Sequence, residues 1–99
     1  MKEIQPDNSI VNQNYDGLKI KQLTKNDNLE VLCVSLEKGT MFPKHESHVD
    51  AQLIVLEGHI TFYIENHPIV LKTHQQFKFP KDTAHWVEAY SNSKFLIIR

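Results

Sequence analysis

The stretch from Gly39 to Gly58, GTMFPKHESHVDAQLIVLEG, sets the reading of the whole chain. It places His45 and His48, the acids Glu46 and Asp50 and the amide Gln52 between two glycines. Pro43 sits in a short extended piece, where its missing N–H demands an edge or a strand start. Glu46 to Asp50 is polar and reads as a bend. Ala51 to Leu56 is a strand that Glu57-Gly58 ends. A shorter stretch answers it downstream, FPKDTAHW, which ends at Trp86.

Working outward, turn signals and apolar runs alternate. Tyr15-Asp-Gly17 and Lys25-Asn-Asp-Asn28 are turns. Between them, Leu18, Lys19, Ile20 and Lys21 alternate as in a half-buried strand. Leu29 to Leu36, LEVLCVSL, is apolar on both faces and reads as a strand covered on both sides. Cys33 in that setting is an inert core thiol. His59 to Glu65 alternates cleanly, and Asn66-His67-Pro68 turns it back through Ile69 to Leu71 as a hairpin. Phe77 and Phe79 share a face, Pro80 to Asp82 turns, and His85 to Tyr90 and Phe95 to Ile98 are the last strands. No helical periodicity appears. The chain therefore reads as all-β, with about eight to ten short strands in a sandwich or barrel. Residues 1–16 read as a polar N-terminal arm or edge segment, and 17–99 as one barrel domain.

Composition narrows the function classes. Ninety-nine residues with 11 Lys and Arg against 12 Asp and Glu carry a formal charge of −1. That balance, without a basic cluster, argues against nucleic acid or a membrane surface as partner. No apolar run is long enough to span a bilayer, and the N-terminal residues lack the apolar centre of a signal peptide. One cysteine leaves no internal disulfide, so a reducing cytoplasm is the expected compartment.

The two stretches resemble the two motifs of the cupins, small jelly-roll barrels also described as a double-stranded β-helix. The first motif is written G-x5-H-x-H-x3-E-x6-G, and Gly39, His45 and Gly58 fall on it without a gap. Pro80 and His85 fit the second, G-x5-P-x-G-x2-H-x3-N. The resemblance covers roughly residues 29 to 98 and implies the fold. In metal-binding cupins, the first motif's two histidines and glutamate join the second motif's histidine around one divalent ion. Such N and O donors suit Zn, Fe, Mn, Ni or Cu.

This chain departs from that pattern. Ser47 and Ala51 stand where the second His and the Glu belong, with His48 and Gln52 one step later. A one-residue bulge after His45 would bring both round together, which makes His45, His48, Gln52 and His85 the expected metal set. His74 and Asp82 replace the second motif's glycines, and Ala89 its Asn. Glu46 and Asp50 read as solvated turn acids, and His59, His67 and His74 as surface. Trp86 and Tyr90 alternate away from His85. Leu53, Val55, Phe77, Phe79 and Val87 are the expected apolar lining of a small-molecule pocket.

Two functions follow from the resemblance. One is a metal-dependent small-molecule protein, an oxygenase or isomerase if it is an enzyme. The other, favoured by Ser47 and Ala51, is a metal-free barrel that binds or senses a small organic ligand. A structural role in an assembly is a third. The resemblance also implies a homodimer, which would cover edge strands.

Overall fold

The structure is a computed structural model that describes residues 4–99. Nine strands follow in order: β1 (Leu18–Lys25), β2 (Glu30–Leu36), β3 (Met41–His45), β4 (Ala51–Glu57), β5 (His59–Ile64), β6 (His67–Lys72), β7 (Gln76–Phe79), β8 (His85–Ala89) and β9 (Ser93–Ile98). They form a five-stranded sheet in the order β1-β2-β9-β4-β7 and a four-stranded sheet in the order β3-β8-β5-β6. All the pairings are antiparallel. This is the all-β jelly roll expected from the motifs. None of the described residues forms a helix long and apolar enough to cross a membrane.

Alternation along each strand builds the core. Val34, Leu36, Leu53, Val55, Phe95 and Ile97 point inward from the larger sheet, and Ile60, Phe62, Leu71, Val87 and Ala89 from the smaller. Burying such side chains supplies about 1.5–3 kcal/mol each, the main term favouring a chain this small. Both strand prolines lie on edges, Pro43 in β3 and Pro68 in β6, where no ladder bond is lost.

β2 is covered on both sides, as its two apolar faces require. Val34 and Leu36 face the core, while Cys33 and Ser35, on the other face, are also fully buried. The segment before β1 contributes to that cover. Gln13 Nε2 donates to the carbonyls of Cys33 at 3.0 Å and Lys19 at 3.2 Å. Lys94 Nζ, on the same outer face, donates to the Ile10 carbonyl at 2.7 Å and lies 5.2 Å from the Tyr15 ring centre. Residues 1–3 of the arm fall outside the described residues.

Two boundaries differ from the sequence reading. The β5–β6 hairpin turns at Glu65 and Asn66, with φ of 47° and 68°. Two consecutive left-handed residues make the tight reversal that matches strand twist. His67 and Pro68 therefore belong to β6 rather than to the turn. The last strand, expected from Phe95, opens two residues earlier, at Ser93.

Candidate functional site

Two connections, joining four strand ends, meet at one end of the two sheets. β3 ends at His45 and β4 starts at Ala51; β7 ends at Phe79 and β8 starts at His85. The bend between His45 and Ala51 and the turn between Phe79 and His85 thus cross from one sheet to the other at the same rim. They are tied to each other. Asp82 N–H donates to the Ser47 carbonyl at 2.8 Å, and Lys81 N–H to Asp50 Oδ1 at 3.0 Å.

His45 and His85 come together beneath this rim. Their Nε2 atoms are 2.9 Å apart, and the ring centres are 4.1 Å apart. An irregularity in β3 makes the meeting possible. Phe42 is opposite Val87 and His45 opposite His85, so β3 carries one residue more than β8 across the same interval. The extra residue, at Pro43-Lys44, turns both Phe42 and His45 inward although they are three positions apart. Phe42 then stacks on His45 at 4.4 Å between ring centres. His85 is packed against Phe79 at 4.6 Å and Phe62 at 5.5 Å.

The hydrogen bonds fix both tautomers. His45 Nδ1 is 2.7 Å from the Pro43 carbonyl, and His85 Nδ1 is 2.9 Å from the Thr83 carbonyl. A carbonyl can only accept, so each Nδ1 carries the hydrogen and each neutral ring presents its Nε2 lone pair. The two Nε2 atoms stand at hydrogen-bond distance, and between two neutral rings of this tautomer that gap is closed by one added proton shared by the pair or by a cation. His85 is 2 % exposed. Burial pushes its pKa below the ordinary value, the Thr83 hydrogen bond opposing, so a bound proton is disfavoured there.

The other two expected ligands are elsewhere. His48 lies in the exposed bend, 97 % exposed in its side chain, with Nδ1 3.9 Å from Asp82. Gln52 is on the outer face of β4, in register with Ile98 and Lys78, and its amide hydrogen-bonds Gln76. Ala51, Leu53 and Val55 take the inner face. The extra residue expected after His45 lies before it, so the structure brings together His45 and His85 but not His48 or Gln52. Among the described residues no group of three or more His, Cys, Asp or Glu gathers around a common centre.

Ser47 and Ala51 occupy the inner positions instead. Ser47 is buried, with its hydroxyl donating to the Val49 carbonyl at 2.8 Å and accepting from Val49 N–H at 3.3 Å. Leu53, Val55, Phe79 and Val87 are packed into the core, and Phe77 packs against it half-buried. A surface groove of about 440 Å³ lies on the larger sheet near this rim, lined by Asp50, Ala51, Gln52, Lys78, Phe79, Pro80 and Ile98 and by neither histidine of the pair. Phe42 and Phe62 belong to the surroundings of the pair and were not singled out by the motifs. The Ile60, Phe62, Ile64 alternation carried the signal for the second; the β3 irregularity hid the first.

A cation set by two histidines is geometrically consistent with this pair. Imidazole nitrogens about 2.0–2.1 Å from an ion stand about 2.9 Å apart at the right angle of octahedral or square geometry and about 3.3–3.4 Å apart at the tetrahedral angle zinc prefers. The donor set therefore fits two positions of a coordination sphere, and among the described residues no third donor of the His, Cys, Asp or Glu type gathers beside them.

Comparison with known proteins agrees with the fold and the motifs. The family profile described as Cupin domain matches residues 32–98. The pectin degradation protein KdgF of Dickeya dadantii is 30 % identical over 83 residues, which span 83 % of this chain and 76 % of that protein. An RmlC-like cupin from Desulfovibrio desulfuricans superposes with a TM-score of 0.85 at 19 % identity, over 97 % of this chain and 95 % of the other. The KdgF structure from Halomonas sp. gives a TM-score of 0.76 at 21 % identity, over 87 % and 81 %. With the first motif's glycines, the jelly roll and the two rim histidines in place, this chain belongs to the cupin domain family.

Proposed function

We propose that this cupin holds one divalent transition metal ion between His45 Nε2 and His85 Nε2 and presents it to a small organic ligand at the barrel rim. The observation that carries this reading is the meeting of the two Nε2 atoms at 2.9 Å, with both Nδ1 hydrogens committed to carbonyls. Zn, Fe, Mn, Ni and Cu all accept imidazole nitrogen. When bound, such an ion supplies Lewis acidity to an oxygen-bearing ligand. The chain's own contribution is orientation. Pro43 and Thr83 carbonyls fix the rings, and Phe42, Phe62 and Phe79 exclude water from their faces.

His48 and Gln52 are not part of this proposal. The ring neighbours of the pair are phenyl groups, which offer no proton-transfer chemistry of their own. The reading therefore stops at binding. The D. dadantii relative is named for pectin degradation, which makes small products of pectin breakdown the first ligands to screen.

A metal-free ligand-binding barrel is the second reading. Ser47 and Ala51 at two inner positions favour it, because neither supplies a free donor. A homodimer stays within the proposal; Met41, Val70 and Tyr90 stand exposed and available to a second copy. Sedimentation equilibrium tests it, and a single species of monomer mass would reject it.

Elemental mass spectrometry on untagged protein purified without chelators separates the two readings. The proposal expects close to one transition-metal ion per chain, lost in His45→Ala and in His85→Ala and retained in His67→Ala. No uptake by the unaltered chain, even after metal is added, leaves the metal-free reading.

A further inference from the structure

The three central strands of the larger sheet are apolar on both faces, although only one face meets the core. β2, β9 and β4 lie side by side there. Register puts Cys33, Leu96 and Ile54 in one cross-strand row and Val31 and Ile98 in the next, both on the face away from the core. Val31, Ile54, Leu96 and Ile98 stand half-buried, outside the core cluster. The edge strands are polar on that face, with Lys19 and Lys21 on β1 and Gln76 and Lys78 on β7. An apolar centre inside a polar rim is the anatomy of an interface.

The smaller sheet has no such face. Its exposed Met41 and Val70 sit on opposite edge strands, with Glu88 and Thr61 between them in the same row. In the next row Lys44 Nζ lies over Trp86, 5.6 Å from the ring centre, and the Tyr63 hydroxyl donates to Glu88. Polar groups therefore interrupt each apolar row.

The arm before β1 says what covers the larger sheet. Its polar contacts fall on Lys19, Cys33 and Lys94. Residues 4–8 are exposed throughout, and Ile4 and Val11 are 95 % and 72 % exposed. One chain thus carries an apolar segment without a bed and an apolar bed beyond its own arm's contacts. A two-fold pair of copies satisfies both, because every contact in it occurs twice. Twisted sheets of the same hand also pack face to face. At about 4.8 Å per strand and 3.3 Å per residue, five strands of about six residues span about 480 Å². A stable pair buries about 800 Å² on each partner, so the sheet needs a further element, and the arm lies beside it. A formal charge of −1 per chain sets little repulsion between copies.

We infer that the outer face of the larger sheet is the self-association surface of this protein: a second copy lays its own larger sheet against Leu96, Ile54 and Ile98, and Ile4 and Val11 of each arm reach onto the other copy. This rests on the homodimer named above and gives it a surface other than that of Met41 and Val70. The surface groove, whose wall includes Ile98, then lies at the border of the interface.

Sedimentation equilibrium tests the surface, with circular dichroism to confirm the fold of each variant. The unaltered chain is expected as a dimer. Leu96→Glu puts a charge at the centre of the face and should raise the dissociation constant at least tenfold, whereas Val70→Glu on the smaller sheet should leave it within threefold. Ile98→Glu, at the end of β9, and the double variant Ile4→Asp with Val11→Asp, at exposed positions, should also raise it at least tenfold and cover the case in which Leu96→Glu does not fold. If the folded variants stay as dimeric as the unaltered chain, or Val70→Glu separates the copies instead, the inference fails while the homodimer stands. If the unaltered chain is a monomer at every concentration, both fail together.

Discussion

His45 and His85 each donate Nδ1–H to the carbonyl two residues earlier, Pro43 for one and Thr83 for the other. The same local device on two strands gives two convergent lone pairs, and this symmetry is invisible in residue types alone. Spacing located both histidines, because each follows a fixed offset from a turn residue. Spacing could not place His48 and Gln52, since a shift of one residue reverses the face that a strand residue presents. The family's glycine positions show a related limit. His74 and Asp82 stand there with φ of 70° and 59°, so the backbone keeps a left-handed conformation that a side chain resists. Replacing either by glycine should raise stability by about 0.5–1 kcal/mol in urea unfolding. Gly58 marks the opposite case. Its φ is 91°, and a Cβ there would come within 2.5 Å of the Asn92 carbonyl oxygen and 2.7 Å of Ser93 Cα. Gly58→Ala should therefore cost about 2–4 kcal/mol by the same measurement, and a neutral result would mean that the β4–β5 corner is free to move.

Among the elements, β3 departs most from its expected form. Its alternation predicts that Phe42 and His45 face opposite ways, yet the extra residue at Pro43-Lys44 turns both inward. A proline in an edge strand allowed an irregularity but did not fix its position. The hairpin of β5 and β6 was legible as a hairpin, whereas its turn was displaced because His67-Pro68 looked like punctuation. β2 was legible throughout, since apolar residues on both faces leave few other places for a strand. Its start is held by Arg99, whose Nε donates to Glu30 Oε1 at 2.7 Å while their backbones exchange bonds at 2.6 Å and 2.9 Å. The Arg99 hydrogen bond, with help from Gln22, holds the Glu30 carboxyl below its ordinary value of 4.5. A depressed carboxyl pKa stabilises the fold above the unfolded value and loses that contribution as pH falls through the folded one. Thermal melts should accordingly show the unaltered chain ahead of Glu30→Gln at neutral pH, with the gap closing below about pH 4.5. A gap that persists in acid would assign the difference to packing instead.

Over the whole molecule, two sheets close on one core, and the arm before β1 covers part of the larger sheet's outer face. The fold was legible because inner-face alternation recurs in strand after strand. The arm's docking was not, because it depends on single polar contacts: Gln13 to the Cys33 and Lys19 carbonyls, and Lys94 to the Ile10 carbonyl. Burial pushes the Cys33 thiol up, which keeps it unreactive. Removing residues 1–14 should lower stability by about 1–3 kcal/mol and speed iodoacetamide labelling of Cys33 at least tenfold, read by intact mass. Equal labelling rates in the two chains would show that the arm does not shield β2.

The protonation of the two Nε2 atoms that meet at 2.9 Å decides whether the pair can hold a cation, and long-range ¹H–¹⁵N correlation of the histidine rings reads it directly. At neutral pH in metal-free protein, His45 and His85 should both show the Nδ1–H tautomer, with an unprotonated Nε2. Stoichiometric Zn²⁺ should then shift both Nε2 signals together and leave those of His59, His67 and His74 in place. An Nε2–H tautomer on either ring, or Zn²⁺ acting on neither, would contradict the account.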